Sequence, residues 1–359
     1  MNIYGVLMAG GTGTRFWPRS RRAMPKQVLN IFGENTMIQE THQRLAGLVK
    51  DANILIVTNG VQQEIISRQL TVLEENNYII EPFGRNTAPC IGLAALHIAQ
   101  DDPDGVMVVL PADHLITDVE TFQSVIRVAA DFAYRENALV TLGITPNEPA
   151  TGYGYIQAGP GGIQVGAHRV HRVKTFAEKP NLDTATRFLQ SGDFYWNSGM
   201  FIWKASTILR EIGERLPELH EQLMSLKKHI GKPQYGEKLQ EVYRDIEGVS
   251  IDVGVMQQAE NVHVIPVDMG WNDVGSWETV YDISEKDRHG HAGQTGSLVN
   301  IGSRNCYVYS PEKVVALVGV KDLIVVDTGD ALLICRQSEA QSVKDAVDYL
   351  TKKGNDRHL

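Results

Sequence analysis

A glycine-rich segment with several cations after it is the part of the sequence best suited to chemistry. The apolar run at residues 3–9 predicts a strand buried on both faces, and Gly10, Gly11 and Gly13 follow it. Glycine permits positive φ and carries no Cβ, so a chain that turns here exposes backbone N–H groups that can bind an anion. Five cations follow, and they are Arg15, Arg19, Arg21, Arg22 and Lys26. The pattern predicts a polyphosphate site.

Two common phosphate-binding loops do not fit this segment. No Lys follows Gly13 as in nucleoside triphosphatases, and Phe16 stands where the dinucleotide fingerprint has its third glycine. Residues 10–27, called the signature segment here, instead resemble the signature of sugar nucleotidyltransferases. The Trp17-Pro18 insert and the Pro-Lys-Gln ending at residues 25–27 are similar to the mannose-1-phosphate guanylyltransferase branch. The alternative is a glycine-rich turn with a solvated basic face.

The resemblance implies a role for each polar part of the signature segment. The leaving diphosphate would be bound by the glycine turn and Arg15, and the α-phosphate by Lys26. The implied nucleotide-binding residues in this segment are Gly10, Gly11, Thr12, Gly13, Arg15 and Lys26.

Strands and helices alternate after the signature segment, which predicts an α/β fold with a parallel sheet and ligands at the carboxyl ends of its strands. A helix is predicted at residues 36–49 and a strand at residues 78–81. The next residues, 81–89, resemble the base-reading segment of the family, which implies that Glu81, Arg85 and Asn86 contact the nucleobase. Asn86 has an equally good alternative role as a helix cap.

Two aspartates are candidates for binding a metal. An apolar strand at residues 106–110 runs into Pro-Ala-Asp-His, which places Asp113 just after the strand, and Asp273 lies between two tryptophans. Both positions resemble family motifs whose aspartates hold Mg²⁺, a cation that prefers carboxylate, phosphate and water oxygens. The alternatives are a turn cap for Asp113 and a packed aromatic turn for Asp273. With Arg15 and Lys26, these are the predicted catalytic residues, and His114 is predicted to support the loop through a hydrogen bond.

Three motifs in the middle of the chain resemble the sugar-phosphate site of the family. They are Gly-Tyr-Gly-Tyr at residues 152–155, Glu-Lys-Pro at residues 178–180 and Asn-Ser-Gly at residues 197–199. They imply that Glu178 and Asn197 bind sugar hydroxyls, that Gly154 lets the sugar approach the backbone, and that Lys179 binds the sugar phosphate. The alternative for Glu178 and Lys179 is a solvated ion pair.

The sequence predicts two domains. Residues 1–281 form a Rossmann-like nucleotidyltransferase domain with a mixed, mostly parallel sheet, and residues 282–359 form a small all-β module with a closing helix. Residues 282–296 are predicted to be a polar linker in which His289 and His291 are solvated. Short strands follow, with a turn predicted at residues 310–311. Family resemblance implies that the module is a short β-helix. The sequence itself predicts only short strands in series, without metal ligands, and a role in packing or dimerisation.

Composition limits the possible partners and the compartment. The formal net charge is −9, which argues against nonspecific nucleic-acid binding, and no apolar run is long enough to predict a membrane span. The three cysteines are scattered, without disulfide or zinc spacing, and the first strand leaves no room for a signal peptide. We expect a cytoplasmic protein, with a homodimer possible.

The resemblance implies a specific reaction. GMP is transferred from GTP to α-D-mannose 1-phosphate with Mg²⁺, and GDP-mannose and pyrophosphate are the products. The alternatives are a nucleotidyltransferase for another hexose 1-phosphate or nucleotide, and a non-catalytic paralogue that senses sugar nucleotides. The sensing paralogue is disfavoured because Arg15, Lys26, Asp113 and Asp273 are all present.

Overall fold

The computed structural model describes residues 1–359 and divides the chain into two compact units. The first unit consists of Met1–Gly10, Thr41–Gln63 and Leu70–Asn272, and the second consists of Gly11–Glu40, Glu64–Gln69 and Asp273–Leu359. The chain therefore passes between units inside the signature segment and again immediately before Asp273.

The predicted domain boundary between residues 281 and 282 does not coincide with these units. It falls inside a helix, Trp277–Ile283. In addition, residues 11–40 group with the C-terminal module because their side chains have partners there. The indole of Trp17 donates a hydrogen bond to the carbonyl of His358 at 2.8 Å, and Arg21 forms an ion pair with Asp330 at 3.1 Å.

Sixteen strands and ten α-helices make up the regular structure. The strands are β1 (Ile3–Met8), β2 (Ile54–Asn59), β3 (Tyr78–Glu81), β4 (Val106–Pro111), β5 (Leu115–Ile116), β6 (Leu139–Ile144), β7 (Tyr155–Ala158), β8 (Ile163–Val165), β9 (His168–Ala177), β10 (Phe194–Lys204), β11 (Val262–Pro266), β12 (Trp271–Asn272), β13 (Ala292–Ile301), β14 (Tyr307–Val318), β15 (Leu323–Asp327) and β16 (Leu332–Arg336). The helices are α1 (Met37–Gln43), α2 (Gly60–Gln69), α3 (Thr87–Asp101), α4 (Val119–Glu136), α5 (Leu182–Ser191), α6 (Ala205–Arg215), α7 (Pro217–Leu226), α8 (Tyr235–Asp245), α9 (Trp277–Ile283) and α10 (Val343–Lys352).

The first unit is built on one mixed sheet of ten strands. Its main order is β3-β2-β1-β4-β10-β6-β11-β9-β7, and β8 pairs with β9. The pairs among β1 to β4 are parallel, as is the pair of β6 and β11, whereas β10 runs antiparallel to both of its central neighbours. The mixed α/β fold predicted from the sequence is confirmed.

Burial explains why the central strands are apolar along their whole length. Every residue of β4 from Val106 to Leu110 is buried, since a strand covered on both faces has no polar side. Helix α3 is also largely apolar, and it packs with α6, α7 and α8 into one core cluster against this sheet. The core thereby fixes the strand ends from which the candidate site residues project.

The second unit contains a four-stranded sheet in the order β13-β14-β15-β16. The first three strands are parallel, and β16 closes the sheet in antiparallel pairing. The turn predicted at residues 310–311 is wrong, because Ser310 and Pro311 both lie within β14. The register against β13 shifts at Thr295 to Ser297, opposite this proline, and such an irregularity accommodates a residue that has no N–H to donate.

The predicted polar linker is also shorter than expected, since β13 already begins at Ala292. His289 is exposed as predicted, but His291 is only 4% exposed. The Nδ1 of His291 accepts a hydrogen bond from the backbone N–H of Cys306 at 3.2 Å. The prediction that His291 is solvated is therefore wrong, because this histidine takes part in the packing of the β module.

Candidate active site

The glycine turn and Lys26 are packed directly against each other in the second unit. Gly13 has φ +62°, and a Cβ placed on it would lie 2.5 Å from the Cβ of Lys26. Glycine is required here both by the backbone conformation and by the space. Residues Thr14–Phe16 continue as a single 3₁₀ turn that carries the exposed Arg15. The turn therefore positions two of the predicted phosphate-binding cations.

Lys26 and Asp273 also lie together in this unit. Lys26 is 4% exposed, and its Nζ donates a hydrogen bond to the backbone carbonyl of Asp273 at 2.7 Å. A buried ammonium has to be paired in this way, because burial without partners disfavours the charged form. A Cβ on Gly275 would approach the Asp273 carboxylate to 3.2 Å, so glycine leaves space around this group. Two of the four predicted catalytic residues are thus adjacent.

Aromatic packing holds the loop that carries Asp273. The Trp277 ring is fully buried and lies 5.1 Å from the ring of Phe16, and its indole donates to the carbonyl of Trp17 at 3.1 Å. This contact connects the Asp273 loop with the signature segment inside the same unit. Of the two tryptophans that flank Asp273 in the sequence, Trp277 is therefore the one that braces its loop against the signature segment.

Asp113 lies in the first unit, just beyond the carboxyl end of β4. It is half-buried, and its neighbour His114 accepts a hydrogen bond at Nδ1 from the indole of Trp271 at 3.2 Å. The guanidinium of Arg44 donates to the backbone carbonyl of His114 at 2.9 Å. These two hydrogen bonds agree with the prediction that His114 supports the loop. Because the two aspartates belong to different units, their sharing of one Mg²⁺ stays a prediction.

The donor set available to a metal is small. The structure contains no group of three or more His, Cys, Asp and Glu side chains arranged to hold a metal ion. A Mg²⁺ ion in a phosphoryl-transfer site commonly uses one or two carboxylates and completes its octahedron with phosphate oxygens and water. Asp113 and Asp273 fit this chemistry, because both offer hard oxygen ligands.

The base-reading segment projects from the carboxyl end of β3 in the first unit. Glu81 is 6% exposed, and one of its oxygens lies 3.8 Å from the position of a Cβ on Gly10. Burial raises the pKa of the Glu81 carboxyl to about 7, and a hydrogen bond from the Tyr243 hydroxyl at 3.1 Å opposes this rise. Both carboxyl oxygens of Glu81 can therefore accept hydrogen bonds from a ligand only when the carboxyl group is ionised.

Arg85 and Asn86 both make contacts with the protein backbone. Arg85 donates from Nε to the carbonyl of Tyr243 at 3.0 Å and from Nη2 to that of Arg244 at 2.8 Å. Asn86 has φ +69° and its side chain accepts from the N–H of Thr87 at 2.8 Å. The capping alternative for Asn86 is confirmed, and its contact with a nucleobase stays a prediction.

The four residues predicted to bind the sugar phosphate come together in the first unit. A Cβ on Gly154 would lie 2.6 Å from Oε2 of Glu178, and the carbonyl of Gly154 accepts from the N–H of Asn197 at 2.8 Å. Glu178 forms an ion pair with Lys179 at 2.8 Å. Gly154 therefore lets the Glu178 carboxylate lie against the backbone, which is a second reason for glycine at this position.

The sequence analysis missed a carboxylate in this cluster. Asp252 begins a π-helical turn, Asp252–Met256, and its Oδ1 accepts from Nδ2 of Asn197 at 2.7 Å. Burial, together with the charge of Glu178, raises the pKa of Asp252 to about 6. The residues around Asp252 carry no motif that we recognised, so only the fold shows that it reaches Asn197.

Comparisons with known proteins identify the family of this chain. Residues 4–290 match the family described as Nucleotidyl transferase. The chain belongs to the nucleotidyl transferase family. Its enzyme class and fold, both predicted from the sequence, are thereby confirmed. Residues 296–350 match a second family, described as the MannoseP isomerase/GMP-like beta-helix domain, which confirms the β-helix-like character of the C-terminal module.

Individual family members are similar over nearly the whole chain. A mannose-1-phosphate guanylyltransferase of Klebsiella pneumoniae is 41% identical over 96% of this chain and 73% of its own length. A mannose-1-phosphate guanylyltransferase of Escherichia coli shows the same identity and coverage. A crystal structure described as mannose-1-phosphate geranyltransferase from Thermus thermophilus superposes with a TM-score of 0.87 at 33% identity, covering 98% of this chain and 100% of that one.

None of the helices in the present structure has both the length and the hydropathy of a membrane-spanning segment.

Proposed function

We propose that this nucleotidyltransferase transfers GMP from GTP to α-D-mannose 1-phosphate and releases pyrophosphate. The observation that carries the proposal is the 41% identity to mannose-1-phosphate guanylyltransferases over 96% of the chain. The contacts of the candidate residues support it, because β3 ends in a buried carboxylate, Glu81, and a cluster of Glu178, Lys179 and Asn197 is assembled around Gly154.

The reaction is an in-line displacement at phosphorus. An oxygen of the sugar phosphate attacks the α-phosphorus of GTP, the new P–O bond forms, and the bond to the β-phosphate breaks to release pyrophosphate. No general base is required, because the attacking phosphate is already ionised near neutral pH. The protein contributes by positioning the two substrates and stabilising the charge that develops on the phosphates.

Each cation has a separate task in this proposal. The N–H groups of Gly11, Thr12 and Gly13 and the exposed Arg15 bind the leaving diphosphate. The buried Lys26 binds the α-phosphate, and the exposed Lys179 binds the attacking sugar phosphate. Asp113 and Asp273 would hold Mg²⁺, which supplies positive charge that neutralises the reacting phosphates.

We also propose a cytoplasmic homodimer. GTP is a cytoplasmic substrate, and the three free cysteines suit a reducing compartment. On the β module, Val299, Ile301, Val314 and Val318 are between 42% and 69% exposed, and they would be covered if β13 and β14 faced a second copy. Light scattering in solution tests this part, and the mass of a single chain would contradict it.

The experiment that tests the function measures formation of GDP-mannose from GTP and mannose 1-phosphate against Mg²⁺ concentration. We compare the wild type with Asp113→Asn, Asp273→Asn and the double variant. Each single variant is expected to lower kcat/KM by about 10²-fold, if one lost ligand costs ~3 kcal/mol of transition-state stabilisation. The double variant should be little worse, because residues that act as a unit are not additive.

Asp104→Asn is the matched control, because Asp104 is exposed and lies outside all the candidate sites. A wild-type protein that makes no GDP-mannose would contradict the proposed function. If Asp273→Asn kept the wild-type rate and Mg²⁺ dependence, the shared metal would be wrong while the function stood.

A further inference from the structure

Helix α8 carries no motif, yet one of its residues contacts both charged side chains of the base-reading segment. Tyr243 is fully buried, and its hydroxyl donates to Oε1 of Glu81 at 3.1 Å. Its backbone carbonyl accepts from Nε of Arg85 at 3.0 Å. A single residue, distant in sequence, therefore holds Glu81 through its side chain and Arg85 through its main chain.

The two contacts of Tyr243 hold Glu81 and Arg85, the candidate base-binding side chains, in different ways. Glu81 is almost completely removed from solvent, so the Tyr243 hydroxyl replaces a hydrogen bond that water would otherwise supply. Arg85 donates to two consecutive carbonyls, those of Tyr243 and Arg244, which fixes the plane of its guanidinium. If α8 moved, both side chains would lose their orientation together.

We propose that Tyr243 is a positioning residue for guanine recognition, which orients the Glu81 carboxylate towards the base and anchors Arg85 beside it. This inference rests on the proposed function, because it concerns how the same enzyme selects its nucleotide. Guanine presents an N1–H and an N2 amino group side by side, and an ionised carboxylate can accept from both. Adenine has an unprotonated N1 at the equivalent position and would be rejected by the same carboxylate.

Protonation gives this arrangement a measurable signature. The titratable groups that face Glu81 are Tyr243 from α8 and Cys90 from α3. Burial raises the pKa of the Cys90 thiol and that of the Tyr243 hydroxyl well above their ordinary values, so both groups stay neutral near pH 7. Of these three groups, only Glu81 therefore changes charge between pH 6.5 and 8.5, and the Tyr243 hydroxyl favours its ionised form.

The test is titration calorimetry of GTP with the full chain, without sugar, at pH 6.5, 7.0, 7.5 and 8.5. Tyr243→Phe removes the hydroxyl and keeps the ring. We expect its Kd for GTP to rise about tenfold at pH 7.0, the size of effect expected when a buried acceptor loses a donor, and to return to within about twofold of wild type at pH 8.5. The KM for mannose 1-phosphate should not change.

Tyr235→Phe is the matched control. Tyr235 lies on the same helix, and its hydroxyl is hydrogen-bonded to His97 at 2.7 Å, away from the base-reading segment. Its removal should leave the Kd for GTP and its pH dependence unchanged. Thermal unfolding of both variants reports any general loss of stability, which would weaken GTP binding equally at all four pH values.

The outcomes separate this inference from the proposed function. If the wild type binds GTP but Tyr243→Phe has the same Kd and pH dependence, the positioning role is wrong and the function stands. The same holds if Tyr235→Phe reproduces the effect, or if the loss does not recover at pH 8.5. A wild-type chain that binds no GTP would contradict both.

Discussion

At the scale of single residues, Glu81 shows how a binding group can reduce the stability of the protein that carries it. Its pKa rises from 4.5 to about 7 on folding, chiefly because of burial. The folded state therefore binds more protons than the unfolded state between these values, and stability is lost as the pH rises through that window. The Tyr243 hydroxyl offsets only part of this cost.

We predict that Glu81→Gln removes this loss of stability. Between pH 5 and pH 8, the free energy of unfolding of the wild type should fall by up to about 3 kcal/mol relative to that of the variant, the equivalent of the pKa shift. Chemical denaturation without nucleotide measures this difference, and Glu237→Gln, at an exposed position on α8, is the control. Parallel stability curves for the wild type and Glu81→Gln would show that the buried carboxyl does not carry this cost.

Most of the residue-scale site could be predicted because the family motifs are contiguous. Gly154, Glu178 and Asn197 each lie in a short recognisable motif, and the structure brings them together. Tyr243 and Asp252 could not be found in the same way. Each belongs to a helical segment with no motif of its own, and its partner is more than fifty residues away, as in the pairs Tyr243–Glu81 and Asn197–Asp252.

At the scale of elements, the signature turn depends on one glycine more than on its neighbours. Gly13 has positive φ and no room for a Cβ next to Lys26, whereas a Cβ on Gly11 would meet no atom within 4 Å. We predict that Gly13→Ala displaces Lys26 and costs at least about 1 kcal/mol, which corresponds to a fall in Tm of at least about 1 °C for a chain of this length. Gly11→Ala should leave Tm unchanged in the same thermal scan. Equal Tm values for both variants would contradict the turn geometry described here.

Element boundaries followed the sequence in a short apolar strand and departed from it where local signals competed. The apolar pattern predicted β3 to the residue. The helix expected at residues 36–49 ends at Gln43, and Leu45 donates to the carbonyl of His42 in a tighter turn. Apolar residues continue to Val49, so hydrophobic spacing alone could not reveal that Gly47, with φ +76°, follows the end of the helix.

At the scale of the whole molecule, the signature segment from Gly11 onwards belongs to the same unit as the β module. We therefore predict that residues 1–281 expressed alone lose at least about 90% of the nucleotidyltransferase activity, because Trp17, Arg19 and Arg21 lose their partners on His358, Tyr309 and Asp330. The measurement is kcat/KM for GTP in the truncated and full chains, with circular dichroism to confirm folding. A folded fragment with full activity would favour the boundary predicted from the sequence over the observed units.

The central claim, that the enzyme joins guanosine nucleotides to mannose 1-phosphate, is tested most directly by its choice of substrates. The measurement is pyrophosphate release by the full chain with Mg²⁺, giving kcat/KM for GTP, ATP, UTP and dTTP, each with mannose 1-phosphate and glucose 1-phosphate. We predict that GTP with mannose 1-phosphate exceeds every other pair by at least about tenfold, equivalent to ~1.4 kcal/mol of transition-state discrimination. A clear preference for UTP or dTTP with glucose 1-phosphate would contradict the claim.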